Sequence, residues 1–367
     1  MKKRNSFDEF IYDASSPLPK RTAKEMADLL VDGDIPGYDR KLITNTVNEM
    51  YETAKLLKDI RQEPKITVFG SARTPEDHPD YILCRDFSKQ MANLGYMTIT
   101  GAGPGIMAAG HEGAGHEKSI GVSVELPFEE GANRFVKESD YLITCRYFFC
   151  RKLTFIREAD AVVLFPGGFG TMDEAFEVLT LLHTGRSMPV PLVLMEHEGG
   201  KFWEKWMDYL REGLLAEGTI SKDDMYIFRR FDNVEESADY ISNFYRRYHS
   251  MRYVKDMQVV RLNTPVPTRL IEDLEEEYAE FLGEFGIQKS EALPEEKNEP
   301  DIAHLPRLLI KGNKSQPVKL YNFIRSLNRE VISSSTRRQD RENVCDLGPV
   351  KQANPRPKRE KIKVVKE

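Results

Sequence analysis

Three short stretches of this 367-residue chain have the residue types that hold a phosphate group. They are Gly70-Ser71-Ala72-Arg73, Gly101-Ala102-Gly103-Pro104-Gly105 and Pro166-Gly167-Gly168-Phe169-Gly170-Thr171. Glycine lets backbone N–H groups approach phosphate oxygens, and a helix start beside the loop adds a favourable dipole. One such loop would say little, because glycine is common wherever a strand turns into a helix. Three in one region make a phosphate-bearing ligand the leading expectation. The third loop runs into Thr171-Met172-Asp173-Glu174, and a basic pair, Arg151-Lys152, precedes it. A carboxylate mounted there would lie near the sugar of a bound nucleotide. The alternative is concrete. Thr-x-x-Glu at a helix start is a capping box, in which Glu174 only reaches back to a backbone N–H.

The spacing excludes several common chemistries. A dinucleotide fingerprint needs glycine at its first, third and sixth positions, and counting from Gly101 the sixth is Ile106. None of the loops continues into the Gly-Lys-Ser/Thr of a P-loop, and the nucleophile elbow of α/β-hydrolases is missing. The four cysteines form no CxxC pair and share no metal-type spacing with the seven histidines. A metal, a disulfide scaffold and a resident cofactor are therefore not expected. His111, His116 and His183 fall on the expected ligand side but read first as packed or solvated. Asp173 reads as a second carboxylate or a first-turn acid complementing the helix dipole. Glu125 and Asn133 follow a strand and are placed loosely toward the ribose. Cys145 and Cys150 read as packing residues.

The elements that must position these groups follow from apolar periodicity. Short apolar runs at Ile66–Phe69, Tyr96–Thr100, Ile120–Leu126, Tyr141–Thr144, Ala161–Phe165 and Val190–Met195 alternate with helical stretches. Leu83, Phe87, Met91 and Leu94 mark one such helical face, with Gly95 as its C-cap. Strands alternating with helices predict an α/β fold, a Rossmann-like doubly wound parallel sheet. In such a sheet, ligands bind outside the carboxyl ends of the strands, where all three loops fall.

The flanks have a different character. Residues 1–62 read as an irregular arm with one short helix, followed by a helix whose Ile43, Val47, Met50, Ala54 and Leu57 share a face. Residues 63–253 form the nucleotide-binding domain. Residues 254–335 read as a helical and acidic extension. Within it, Glu272–Asp301 has twelve acidic residues against two lysines, read as an acidic helix running into a linker. Residues 336–367 form a basic tail without a core-forming pattern. The formal net charge of −6 argues against a protein that coats nucleic acid. No apolar run is long enough to span a membrane, and the first residues lack the apolar region of a secretory signal, so a cytoplasmic location is expected.

Pro-Gly-Gly-Phe-Gly-Thr-Met-Asp-Glu, residues 166–174, resembles the PGGxGTxxE signature of the LOG family, the cytokinin-activating phosphoribohydrolases long labelled lysine decarboxylases. Arg151-Lys152 stands where that family has its Arg-Lys pair, and Gly101–Met107 resembles its second glycine loop. The resemblance covers residues 65–252. It implies a Rossmann-like fold, at least a homodimer, and hydrolysis of a nucleoside 5′-monophosphate to free base and ribose 5-phosphate. Glu174 and Arg151 would then be catalytic. Arg151 would either hold Glu174 or contact the substrate. Gly70, Ser71, Arg73, Gly103, Gly105, Lys152, Pro166, Gly167, Gly168, Gly170 and Thr171 would bind the substrate, with the 5′-phosphate on backbone amides. Phe148 stands where the family has methionine, on the base side. The decarboxylase label finds no Ser-x-His-Lys pattern of the kind that holds pyridoxal phosphate. A protein of this fold that only binds or carries a nucleotide or cofactor is the alternative.

Overall fold

The computed structural model describes residues 22–125 and 131–329. The start of the arm, the end of the strand expected at Ile120–Leu126 with the residues just after it, and the basic tail lie outside these residues. Two helices come first, α1 (Ala23–Asp32) and α2 (Gly37–Leu56). Strand and helix then alternate through β1 (Lys65–Phe69), α3 (Pro79–Asn93), β2 (Met97–Thr100), α4 (Ile106–Ala114), β3 (Ser119–Val124) and β4 (Leu142–Cys145). The second half continues with α5 (Phe148–Glu158), β5 (Ala161–Leu164), α6 (Phe169–His183), β6 (Leu192–Met195), α7 (Phe202–Tyr209), β7 (Phe228–Phe231) and α8 (Val234–Phe244). The seven strands make one parallel sheet in the order β4-β3-β2-β1-β5-β6-β7. The expected Rossmann-like α/β architecture is present. The strand order reverses between β1 and β5, so the loops after β1, β2 and β5 meet at the switch point where such sheets bind ligands.

Alternation along β1 explains the two layers. Ile66 and Val68 point to one face, where they pack with Tyr81, Phe87, Ile106, Ala109 and Ile241 of α3, α4 and α8. Phe69 points to the other face and joins Phe155, Ala175 and Val178 of α5 and α6. The strands are buried on both sides, hence their nearly continuous apolar runs.

Two features depart from the sequence reading. The first is β7, whose sequence Phe-Arg-Arg-Phe shows no buried-strand pattern. It is an edge strand, and Arg230 there is neutralised by the buried Glu196, 2.9 Å away. The second concerns residues expected to be helix and linker. After β8 (Tyr248–Val254) and β9 (Met257–Leu262), helix α9 (Thr268–Glu277) forms as expected for the acidic segment. The stretch read as a linker instead supplies β10 (Ile287–Ser290), and β11 (Arg307–Ile310) follows, with α10 (Pro317–Ser326) beyond it. These strands form a four-stranded antiparallel sheet, β10-β11-β9-β8. Its Val260, Leu308 and Ile310 share one hydrophobic cluster with Val162 and Leu164 of the parallel sheet. Local composition hid this sheet, because its strands carry buried arginines matched by glutamates far along the chain. Among the described residues, no helix is long and apolar enough to cross a membrane.

Candidate active site

The three loops are laced together at the centre of the sheet edge. The Ser71 amide donates to the Pro166 carbonyl at 3.1 Å, and the Ser71 carbonyl accepts from the Ile106 amide at 3.0 Å. Gly105 turns through a positive φ of 63°, where a Cβ would stand 2.3 Å from the Ser71 carbonyl oxygen. At Gly167 a Cβ would meet Thr171 Oγ1 at 2.1 Å and the Ser71 amide nitrogen at 3.0 Å. Gly105 is therefore demanded by close approach of backbone to backbone, and Gly167 by the Thr171 side chain and the Ser71 amide packed against it. Gly105→Ala is expected to cost about 1–3 kcal/mol, the range for a strained backbone residue, and to weaken nucleotide binding. Urea unfolding and a binding titration on the same variant check this, and wild-type values in both would show that the lacing is dispensable.

Loop two carries further strain. Ala102, a non-glycine residue, sits at φ 63°. Its amide donates to Thr100 Oγ1 at 3.0 Å, and its carbonyl accepts from the Asn133 amide and side chain at 2.8 and 3.0 Å. Asn133 Nδ2 also reaches the Gly103 carbonyl at 2.9 Å and His111 Nδ1 at 3.1 Å. Asn133 thus shapes the loop from outside it. Backbone outliers of this kind cluster at functional sites.

Glu174 lies in α6, and the helix start settles its local role. The N-cap is Gly168, with no side-chain cap, so Thr171 is the third helical residue and Glu174 lies well inside the helix. The capping-box alternative therefore fails for Thr171 and Glu174. The same chain shows a true one at Thr22 and Glu25, with both reciprocal bonds made. Glu174 is only 4 % exposed, and its Oε2 has no hydrogen-bond partner among the described residues. Burial pushes its carboxyl up from 4.5 to about 7; Lys152 and Arg151 pull it back, while Glu177 and Asp173 push it further up. A buried carboxylate left with an empty acceptor is costly for a fold, and such groups cluster at functional sites.

Arg151 and Lys152 project from α5. The Arg151 guanidinium lies over the Phe148 ring at 4.9 Å and 5.7 Å from the Phe155 ring. Its Nη1 stands 3.7 Å from where a Gly101 Cβ would be, so this arginine borders loop two as well as Glu174. Lys152 is committed differently from its expected substrate contact. Its ammonium pairs with Asp173 at 2.8 Å and Glu177 at 2.7 Å, the carboxylates flanking Glu174 on α6. Gly168 and Gly170 face open space, with nothing within 4 Å of a notional Cβ. Beside them, the first-turn amides of α6 lack intrahelical acceptors. Pro166, Gly167 and Thr171 complete the third loop, and Gly70 backs the first one against Ile106. Gly103 rests on Met107.

The remaining candidates lie elsewhere. His111 is fully buried between Thr100, Ile120 and Asn133, and burial drives its pKa down to about 4. His183 binds Asp224 at 2.5 Å at the far end of α6, and His116 is exposed in a short turn. Glu125 is exposed near Arg146. Burial pushes the Cys145 and Cys150 thiols up to about 11 and 12, the opposite of a reactive thiolate. Arg73 is exposed, and its side chain has no hydrogen-bond or ion-pair partner among the described residues. No group of three or more His, Cys, Asp or Glu side chains among the described residues could hold a metal ion.

Comparison with known proteins then bears on this loop set directly. The family model described as "Possible lysine decarboxylase" matches residues 105–241, from the end of loop two through α5 and the Pro166–Glu174 loop into α8. The matching model is that of a LOG-family domain. Loop one and the first two strands precede the LOG-family match, and the antiparallel sheet follows it. No curated protein matches the chain. Among solved structures, the chain is similar to the structural-genomics target TM1055, with 23 % identity over 49 % of this chain and 98 % of that one, at a TM-score of 0.37. It is also similar to the molybdenum cofactor carrier protein of Chlamydomonas reinhardtii, with 20 % identity over 49 % and 97 % of the two chains, at a TM-score of 0.34. A third is DNA processing protein A of Helicobacter pylori, described as binding single-stranded DNA, with 16 % identity over 50 % and 81 %, at a TM-score of 0.36.

Proposed function

We propose that the LOG-family domain hydrolyses the N-glycosidic bond of nucleoside 5′-monophosphates, giving free base and ribose 5-phosphate. The observation that carries this reading is the buried Glu174 carboxylate with an unpaired oxygen, beside Arg151 and a glycine-lined helix start. Breaking the bond develops positive charge on the ribose carbon and ring oxygen, as in other glycoside hydrolyses. The ionised Glu174 stabilises that charge and orients the water that adds to the carbon, while the departing base takes up a proton. The 5′-phosphate rests on the amides around Gly168, Gly170 and Thr171, at the positive end of the α6 dipole. The Lys152 charge and, less strongly, that of Arg151 favour the ionised form of Glu174, and Arg151 lies against the aromatic face of Phe148. Lys152 acts through its two ion pairs, holding α5 and α6 together around Glu174. Assembly into at least a dimer belongs to the same reading, and the exposed Phe148, Phe149 and Phe169 offer apolar surface for it.

Incubation with a panel of nucleoside 5′-monophosphates, followed by chromatography for free base, tests the proposal. Base release from at least one of them is the expected result. Tight nucleotide binding with no release from any would replace hydrolysis by carriage.

A further inference from the structure

We propose that the cleft between residues 72–76 and 133–135 is a second anion site, separate from the Glu174 site, which takes a small phosphomonoester such as a sugar phosphate. The cleft has a volume of about 320 Å³ and is lined by Arg73, Glu76, Tyr81, Gly105, Arg134 and Phe135, among others. That volume suits a sugar phosphate and lies at the lower end of the range for small-molecule sites. Neither Glu174, Arg151 nor any residue of the third glycine loop lines it. The cleft opens over α3 and α4, whereas Glu174 and Arg151 belong to α5 and α6, whose buried residues pack on the opposite face of the sheet.

Its chemistry is cationic and partly pre-ordered. Arg134 is held at one edge by Glu76, 3.1 Å away, and lies over the Phe135 ring at 4.7 Å. The Arg73 guanidinium has no competing carboxylate or carbonyl among the described residues. Arg73 and Arg134 against Glu76 leave the lining one positive charge in excess. A guanidinium presents a planar fork that matches a phosphate in bidentate fashion. Asn133 walls the cleft, but its side chain is spent on loop two, His111 and the Phe135 amide. Recognition therefore falls to the two arginines. Because Asn133 and Gly105 belong at once to the cleft and to loop two, a ligand here would press on the loop that borders Arg151.

Calorimetric titration of the full chain with glucose 6-phosphate, which is not a product of the proposed hydrolysis, and separately with inorganic phosphate, tests this. Arg73→Ala and Arg134→Ala are expected to weaken binding by tenfold or more, while Arg151→Ala and Glu174→Gln leave it within about twofold. Binding of glucose 6-phosphate but not inorganic phosphate would assign the site to the sugar phosphate; binding of both would assign it to the phosphate group alone. No binding of either by the wild-type chain overturns the proposal. Unchanged binding in both arginine variants also overturns it. A loss in Arg151→Ala and Glu174→Gln equal to that in Arg73→Ala would merge the cleft with the nucleotide site and overturn the separation. None of these readouts depends on base release, so hydrolysis at Glu174 stands or falls separately.

Discussion

Glu174→Gln is expected to lower base release by about 10²-fold or more, the usual cost of losing a charged group placed for the transition state, and at the same time to stabilise the protein. The two effects share one cause. The carboxyl titrates near 7 because it is buried, and the ionised form is the one that works. Wild-type kcat should therefore rise about tenfold per pH unit up to about 7 and level off above it, and the Gln variant should lose this rise. For stability the sign runs with the raised pKa. The folded chain holds the Glu174 proton between 4.5 and about 7, where an unfolded chain has released it. Relative stability is thus full below 4.5 and is lost as pH rises through about 7. A neutral Gln removes that loss, so at pH 8 the variant should be more stable by about 1–3 kcal/mol, at most the full worth of the shift. At pH 5, close to the ordinary 4.5, most of the advantage should be gone. Arg151→Ala should lose activity on a similar scale, without the gain in stability. Denaturant unfolding at the two pH values, alongside single-turnover assays, reads all of these quantities. Wild-type turnover in both variants would remove Glu174 and Arg151 from the reaction.

The second large effect lies far from this site. Glu296→Ala should destabilise the fold by about 3–5 kcal/mol, the cost of stripping a partner from a buried ion pair. Glu296 is 2 % exposed and accepts from Arg261 Nε at 2.7 Å and Arg307 Nε at 3.1 Å. Those arginines are each about 1 % exposed, so the variant would leave two guanidiniums in the interior without their main carboxylate. Glu299 and Arg252 extend the network at its rim. Burial works against ionising Glu296, but the Leu293 amide and the two arginines overcome it and hold its carboxyl below the ordinary 4.5. Its contribution is therefore present above 4.5 and is lost as pH falls toward the folded-state value. Thermal unfolding of Glu296→Ala should show the loss at pH 7, with a smaller difference from wild type in acid. A melting temperature unchanged at pH 7 would mean that the antiparallel sheet does not depend on this pair.

The contrast between these two glutamates shows which parts of the molecule the sequence reveals. Glu174 announced itself through its neighbours, because glycines and a threonine at fixed offsets are a local pattern. Glu296 sits in an acidic stretch that composition describes as a solvated linker. Its partners are 35 and 11 residues away, and only strand pairing brings them to it. The same holds for β9 and β11, whose arginines look like surface residues until the glutamates arrive.

What the sequence determined by itself was the repeating strand–helix order, the placement of three glycine loops after β1, β2 and β5, and the candidacy of Glu174 and Arg151. These follow from short-range steric and apolar patterns that need no distant partner. Tertiary structure decided the rest. It placed the α6 N-cap at Gly168, which frees Glu174 from capping, and it assigned Lys152 to Asp173 and Glu177. It also turned Asn133 and His111 into supports for loop two and built the second sheet. In each case the deciding quantity is desolvation, which depends on everything packed around a group and so cannot be read from the residues beside it in the chain.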